Sequence, residues 1–263
     1  MPALLAEGVS AGYGRAPIIN DITLAAEIGS VTTIIGPNGA GKSTFAKTLV
    51  GILKPMSGRI LVNDVDITRV PGHQIPRHGL VYVPQNDNVF KRLTVRENLE
   101  VGGFASKGDT SARMAEILDI FTDLGKATEK KAGFLSGGQQ NLLAIARALM
   151  VDPSVIVLDE PTAGLSPAYT DVVWDQIARI SRLDTAVLVV EQNVERALKH
   201  SDFVHIFVAG RDHAHGPASE IAALDLASIF LGRSPANEVS GGEAPQHDQH
   251  QAVPARHKTQ GGI

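Results

Sequence analysis

The residues best suited by type and spacing to do chemistry are Gly36, Pro37, Asn38, Gly39, Ala40, Gly41, Lys42, Ser43 and Thr44. They fit the template G-x-x-x-x-G-K-[ST] and follow the strand-like run Val31-Thr32-Thr33-Ile34-Ile35. Glycines at these positions let successive backbone N–H groups converge on phosphate oxygens, where a Cβ would clash or force a forbidden φ. Lys42 adds a mobile positive charge for the outer phosphates, and the Ser43 hydroxyl suits a Mg²⁺ ligand. A helix beginning at Lys42 points its positive end at the same place. The implied ligand is a nucleoside triphosphate.

Further polar groups stand at the ends of apolar runs. Val155-Ile156-Val157-Leu158 leads into Asp159-Glu160-Pro161, and Leu80-Val81-Tyr82-Val83 into Pro84-Gln85. Asp159, at the carboxyl end of a buried strand, can hold Mg²⁺ directly or through water. Leu135-Ser136-Gly137-Gly138-Gln139 opens the helical run Gln140 to Met150, so Ser136, Gly137 and Gly138 offer a second helix N-terminus with free N–H groups.

The elements that must position these groups can be read from periodicity. Strand-like segments at Leu4 to Val9, Ile18 to Ala25, Val31 to Ile35 and Arg59 to Val62, separated by Gly, Asn and Asp turns, predict a β-rich opening around the phosphate loop. Lys42 to Gly51 reads as the helix leaving the loop. From about 89 to 150 the character is helical, with a capping box at Thr94-Val95-Arg96-Glu97 and Met114, Ile117, Leu118, Phe121 and Leu124 at helical spacing. Val155 to Leu158 and Ala186 to Val190 are continuous apolar runs of the buried parallel kind. Ser166 as N-cap and Pro167 at the first position announce a helix between them. Trp174 on that helix reads as packing. Phe203 to Val208 with a turn at Ala209-Gly210-Arg211 predicts a closing hairpin, and Ile221 to Leu231 a short helix. From 233 to 263 the composition, rich in Gly, Pro, Gln and His, is that of a disordered tail.

Composition narrows the function classes. The chain has 263 residues, 43% hydrophobic and 20% charged, enough for a sizeable core. A formal net charge of −4 and no long basic run argue against a nucleic-acid partner. The absence of cysteine removes disulfides and thiolate chemistry and fits a reducing compartment. The start Met1-Pro2-Ala3-Leu4 lacks the basic and apolar regions of a secretory signal. No apolar run approaches the ~20 residues needed to cross a bilayer. His213 and His215 in the hairpin, and His247, His250 and His257 beyond it, carry no implied rigid geometry and are not read as metal ligands.

Taken in order, Tyr13, the loop from Gly36, Gln85, the run from Leu135 and the pair Asp159-Glu160 resemble the ATP-binding cassette family, from about Leu4 to Gly232. The resemblance implies a phosphate-loop α/β fold: a RecA-like core, an N-terminal antiparallel β subdomain and a helical subdomain carrying the signature, within a cassette spanning 1–232. It implies ATP and Mg²⁺ as ligands, with Tyr13 stacking on adenine and Ser43, Gln85 and Asp159 around the metal. Glu160 is then the general base that polarises the attacking water. Ser136, Gly137, Gly138 and Gln139 would close over the ATP of a second subunit in a head-to-tail dimer, while the loop after Gln85 leans on a membrane subunit. Where most of the family has a histidine on the γ-phosphate, this chain has Gln192 within Glu191-Gln192-Asn193.

That segment, with Asp66-Ile67-Thr68, Leu93 to Leu99 and Phe230-Leu231-Gly232, resembles the ATPase subunits of branched-chain amino acid importers. The partners expected from that branch are a second ATPase subunit, two permeases and an extracytoplasmic solute-binding protein, with this chain peripheral on the cytoplasmic face of the inner membrane. Gln85 departs from the branch, which often has glutamate there. Ser166 stands where other cassettes carry an aspartate in the cross-dimer loop. A lipopolysaccharide-export ATPase, a soluble cassette ATPase acting on DNA or ribosomes, and a phosphate-loop kinase remain alternatives.

Overall fold

The computed structural model describes residues 2–86, 88–104, 106 and 108–230. The expected end of the cassette at 232 and the tail 233–263 lie outside them. In chain order the first elements are β1 (Leu4–Ala11), β2 (Ile19–Ala26), β3 (Val31–Ile35), α1 (Lys42–Leu49), β4 (Ser57–Val62), β5 (Val65–Asp66) and β6 (Leu80–Val83). Helices α2 (Val95–Gly103), α3 (Thr110–Ile120), α4 (Thr122–Gly125) and α5 (Gly137–Leu149) follow. The chain then alternates through β7 (Val155–Asp159), α6 (Pro167–Ser181), β8 (Ala186–Val190), α7 (Val194–His200) and β9 (Phe203–Val208), and closes with β10 (Arg211–Pro217), α8 (Ala218–Ile221) and α9 (Leu226–Phe230).

These strands form two sheets. An antiparallel sheet has the order β2-β1-β4-β5, and a six-stranded sheet the order β10-β9-β3-β8-β7-β6. In the larger sheet β9, β3, β8, β7 and β6 run parallel, and only β10 is antiparallel. Every residue of β3, β7 and β8 is buried, as expected for central parallel strands covered on both faces. One face packs with α1 against the antiparallel sheet, joining Ile34, Phe45 and Leu49 to Ile22, Leu24 and Ile60. Phe45 meets Phe207 edge to face at 5.5 Å between ring centres. The other face receives α5 and α6 through Leu143, Ile145, Val173 and Ile177. Trp174 is fully buried there, stacked on the His200 ring 5.2 Å away, in keeping with a packing role.

One expectation needs correction and one a refinement. The helix expected from Ile221 to Leu231 is interrupted between α8 and α9. Asp225 accepts from the Ser228 backbone N–H at 3.2 Å and its hydroxyl at 2.6 Å, so it starts a new helix instead of continuing the old one. Ser166 is the N-cap of α6 with Pro167 first in the helix, as expected, and its side chain makes no capping bond. Its carbonyl does the work, accepting from the Tyr169 and Thr170 N–H groups and from the Thr170 hydroxyl.

The capping box at α2 is fully formed. The Thr94 hydroxyl accepts from Glu97 N–H at 3.1 Å, and the Glu97 carboxylate accepts from Thr94 N–H at 2.7 Å. The two bonds from Thr94 hold the Glu97 carboxyl below the usual carboxylate range. A lowered folded pKa means that this part of the cap is complete above the ordinary range and is lost as pH falls through the lowered value. Thr94→Ala is expected to cost ~1 kcal/mol in urea unfolding at neutral pH. It should also shrink the loss of stability on acidification.

Candidate functional site

The order β3-β8-β7-β6 sets four parallel strands side by side, and each ends at a residue singled out from the sequence. Gly36 follows β3, Glu191 and Gln192 follow β8, Glu160 follows β7, and Gln85 stands two residues past β6. Crevices beyond the carboxyl ends of parallel strands are where open α/β sheets bind ligands. The ladder continues into this edge: Glu160 N–H donates to Val190 O at 2.9 Å, and Glu191 N–H to Ile34 O at 3.0 Å.

The phosphate loop is cramped from below. A Cβ on Gly36 would lie 2.1 Å from the Phe207 carbonyl oxygen, and one on Gly41 2.5 Å from Ile19 Cγ2. Gly41 is also left-handed, with φ 96°, and caps α1 without a side-chain bond, so the first N–H groups of that helix stay available. Lys42 is buried across the loop, donating from Nζ to the Gly36 carbonyl at 2.7 Å and the Pro37 carbonyl at 3.1 Å. Burial pushes its pKa down, while Glu160, Asp159 and Glu191 oppose that shift.

Two acids stand opposite. Asp159 is buried; its Oδ1 accepts from the Ser43 hydroxyl at 3.0 Å and its Oδ2 from the Tyr82 hydroxyl at 2.9 Å. Burial and the Asp159 charge raise the Tyr82 pKa far above that of a free phenol, so Tyr82 serves purely as a donor. Glu160 has φ 49°, a left-handed conformation uncommon for a residue with a Cβ. Its carboxylate accepts from Gln85 Nε2 at 2.8 Å on one oxygen and from Gln192 Nε2 on the other. Gln85, Glu160, Gln192, Thr162, Glu191 and Arg196 border a cavity of about 520 Å³.

The structure therefore brings Lys42, Ser43, Gln85, Asp159, Glu160 and Gln192 to one edge. Tyr13 sits in the β1–β2 connection, 64% exposed. Ser136 to Gln139 stand at the start of α5, and no hydrogen bond joins them to the phosphate loop among the described residues. The Ser136 hydroxyl accepts from Gln139 N–H at 3.2 Å and the Gln139 side-chain oxygen from Ser136 N–H at 3.1 Å, a reciprocal capping box. Gly137 is open, but a Cβ on Gly138 would meet the Tyr169 ring at 2.1 Å. At Gly138 the need for glycine is set by packing against α6.

Three features escaped sequence reasoning. Tyr82 holds Asp159. Glu191, 4% exposed, accepts from the Thr162 hydroxyl, from Gln192 N–H at 3.0 Å and from Asn193 N–H at 3.4 Å, tying the end of β8 to the segment after Glu160. Asn88 donates to Asn141 Oδ1 at 2.8 Å, and Asn141 donates to the Pro161 carbonyl at 3.0 Å, linking the loop after Gln85 through α5 to the turn after Glu160. As the one residue with a polar tip in the apolar run Leu80 to Val83, Tyr82 could have been marked from the sequence. The other two depend on tertiary partners.

Comparison with known proteins agrees with this geometry. The ABC transporter family model matches residues 19–163. The chain is 40% identical over 215 residues to the probable branched-chain amino acid transport ATP-binding protein LivF of Archaeoglobus fulgidus, covering 81% of this chain and 91% of that protein. It is 39% identical over 208 residues to the high-affinity branched-chain amino acid transport ATP-binding protein BraG of Pseudomonas aeruginosa, covering 79% and 89%. The lipopolysaccharide export system ATP-binding protein LptB of Escherichia coli K12 is 32% identical over 238 residues, covering 88% and 98%. Among solved structures, the ABC transporter cassette MJ1267 is similar with a TM-score of 0.80 at 28% identity, covering 89% of this chain and 98% of that one. A family match over more than half the chain, with a 40% identical relative covered almost end to end, leaves one placement: the chain belongs to the ABC transporter family, as one of its nucleotide-binding, ATP-hydrolysing subunits.

Proposed function

We propose that this chain energises import of branched-chain, hydrophobic amino acids or a related small solute. In this reading it works as one of two cassettes on the cytoplasmic face of a membrane, with two permeases and an extracytoplasmic solute-binding protein. The carrying observation is the similarity, over about four fifths of the chain, to two proteins named for branched-chain amino acid transport. No helix among the described residues is long and apolar enough to cross a membrane.

The residues at the strand ends fit ATP with Mg²⁺. Ser43 Oγ and Asp159, an all-oxygen pair already within hydrogen-bond distance, form a donor set of the hard kind Mg²⁺ prefers. Bound there, the metal would neutralise charge on the phosphate oxygens. Gln85 donates through its nitrogen to Glu160, which leaves its side-chain oxygen as an acceptor for the metal or its water. Lys42, now on two loop carbonyls, exchanges them for the outer phosphates, with Gly36 to Thr44 wrapped around the rest. Tyr13 supplies an exposed ring for adenine. Ser136, Gly137, Gly138 and Gln139 face the nucleotide of a second cassette in a head-to-tail pair.

Glu160 is the general base. Two amides hold its carboxylate in one rotamer, and it takes a proton from water on exchanging one of those bonds. Gln192 orients Glu160 and reaches the γ-phosphate; Glu191 sets the backbone from which Gln192 projects. Cells lacking this chain should lose uptake of radiolabelled leucine, isoleucine and valine, recover it with wild type and fail to recover it with Glu160→Gln. Uptake independent of the chain would refute the solute assignment and favour the export reading. Purified Glu160→Gln should keep ATP binding, lose about 10²- to 10⁴-fold in turnover and hold subunits together around trapped nucleotide.

Gln192→Ala removes one bond to a charged group, so turnover in the assembled transporter should fall by roughly ten- to a hundredfold. Activity equal to wild type would show that Gln192 touches neither Glu160 nor phosphate during the reaction.

Glu191→Ala leaves the Thr162 hydroxyl and the Gln192 and Asn193 N–H groups without their acceptor. Thermal or urea unfolding should show a loss of about 1–2 kcal/mol, since these bonds are only partly buried and water can reach the freed N–H groups of Gln192 and Asn193.

A further inference from the structure

The hairpin of β9 and β10 lies away from the strand-end site and gathers three metal-ligating side chains. His205 and His215 sit directly opposite each other in the ladder. Simple alternation would turn Asp212 to the face opposite His215, but the register shifts between Asp212 and Ala214 and returns Asp212 to the same side. Its Oδ2 lies 2.8 Å from His205 Nδ1 and 2.9 Å from His215 Nδ1, and one ligand atom from each residue falls within 4.8 Å of the others. His205 is 3% exposed and the Asp212 side chain 9%, yet Asp212 Oδ1 and His205 Nε2 are buried without a hydrogen-bond partner among the described residues. Oδ2 thus meets both imidazoles while Oδ1 of the same carboxylate is buried unpaired, which is costly, and a carboxylate in that state beside two imidazole nitrogens points to a positive charge that completes the cluster.

We propose that His205, Asp212 and His215 form a binding site for one borderline divalent transition cation, Zn²⁺ or its relatives Co²⁺ and Ni²⁺. Two imidazole nitrogens and one carboxylate oxygen suit these ions and disfavour Mg²⁺ and Ca²⁺, which take oxygen donors. Tetrahedral metal–ligand bonds of about 2.0–2.2 Å put neighbouring donor atoms roughly 3.3–3.5 Å apart, so the three groups must spread by about half an ångström. His215, 57% exposed on its side chain, has the freedom to make that shift, and its open side leaves the fourth position to water. With Nδ1 on the cation, each ring carries its proton on Nε2. The half-exposed His215 ring can give its proton to water, whereas that of His205 stays on a buried nitrogen.

The consequence is mechanical. His205 pairs in register with Ile34 on β3, and Phe207, two residues further along β9, places its carbonyl against Gly36. A cation in the hairpin therefore staples the wall on which the phosphate loop rests, away from Ser43 and Asp159.

The test uses the full chain, stripped with a chelator and titrated with ZnCl₂ by calorimetry and with CoCl₂ by visible absorption, in wild type, His215→Ala and Asp212→Asn. Wild type is expected to bind one equivalent in this cluster, giving the intense visible bands of a four-coordinate Co²⁺ site, undisturbed by excess Mg²⁺. Zn²⁺ should raise its thermal midpoint. Both variants should bind at least about tenfold more weakly and lose the Zn²⁺-dependent rise. His215→Ala removes a half-exposed side chain, so it should fold and hydrolyse ATP as wild type does. Unchanged stoichiometry and affinity in His215→Ala would overturn the proposal, placing the cation elsewhere, for instance on His247, His250 and His257. Absence of binding in wild type would overturn it too, leaving a carboxylate that shares protons between two imidazoles.

Discussion

Everything at the candidate site depends on the common register of four parallel strands. Val83 pairs with Leu158, Asp159 with Val190, and Ile34 with Val190, so β6, β7, β8 and β3 reach the same edge together. Peptide hydrogen bonds then set the spacing of the chemistry, because the ladder runs on through Glu160 and Glu191. Side-chain direction alternates along a strand, so a slip of one residue in any of these pairings would turn its terminal group to the wrong face of the sheet. The full burial of β3, β7 and β8 guards against such slips, since each register is pinned by packing on both faces.

On that frame the polar groups satisfy one another in closed sets. Lys42 fills the loop whose carbonyls it binds, Ser43 and Tyr82 divide the two oxygens of Asp159, and Gln85 and Gln192 divide those of Glu160. Neutral amides and hydroxyls hold both acids in place, and the charge of Lys42 faces them. Substrate binding at this edge is accordingly an exchange of partners by groups that are already oriented, which limits the ordering cost of binding.

Much of this was legible in the sequence because it is local. The phosphate loop, the buried strands, the cap at Thr94, the helix start at Ser136 and the helical stretch after Gln85 each declare themselves within a dozen residues. The parts that were not legible are tertiary. Glu191 reads as one letter of a tripeptide until Thr162 is seen beside it, and Asn88 and Asn141 are unremarkable polar residues until the fold joins them. The break between α8 and α9 was missed because an apolar pattern suggested continuity while Asp225 and Ser228 restarted the helix. His205 and Asp212 were overlooked because the irregularity after Asp212 reverses the alternation on which a face assignment rests.

The bonds from Asn88 to Asn141 and from Asn141 to the Pro161 carbonyl join three stretches of chain through uncharged groups alone. Such a connection has no proton to gain or lose and little for salt to screen. Movement of the loop after Gln85 would reach the turn beyond Glu160 as displacement, in the manner of a push-rod, with timing set by geometry and indifferent to the ionic state of the surroundings.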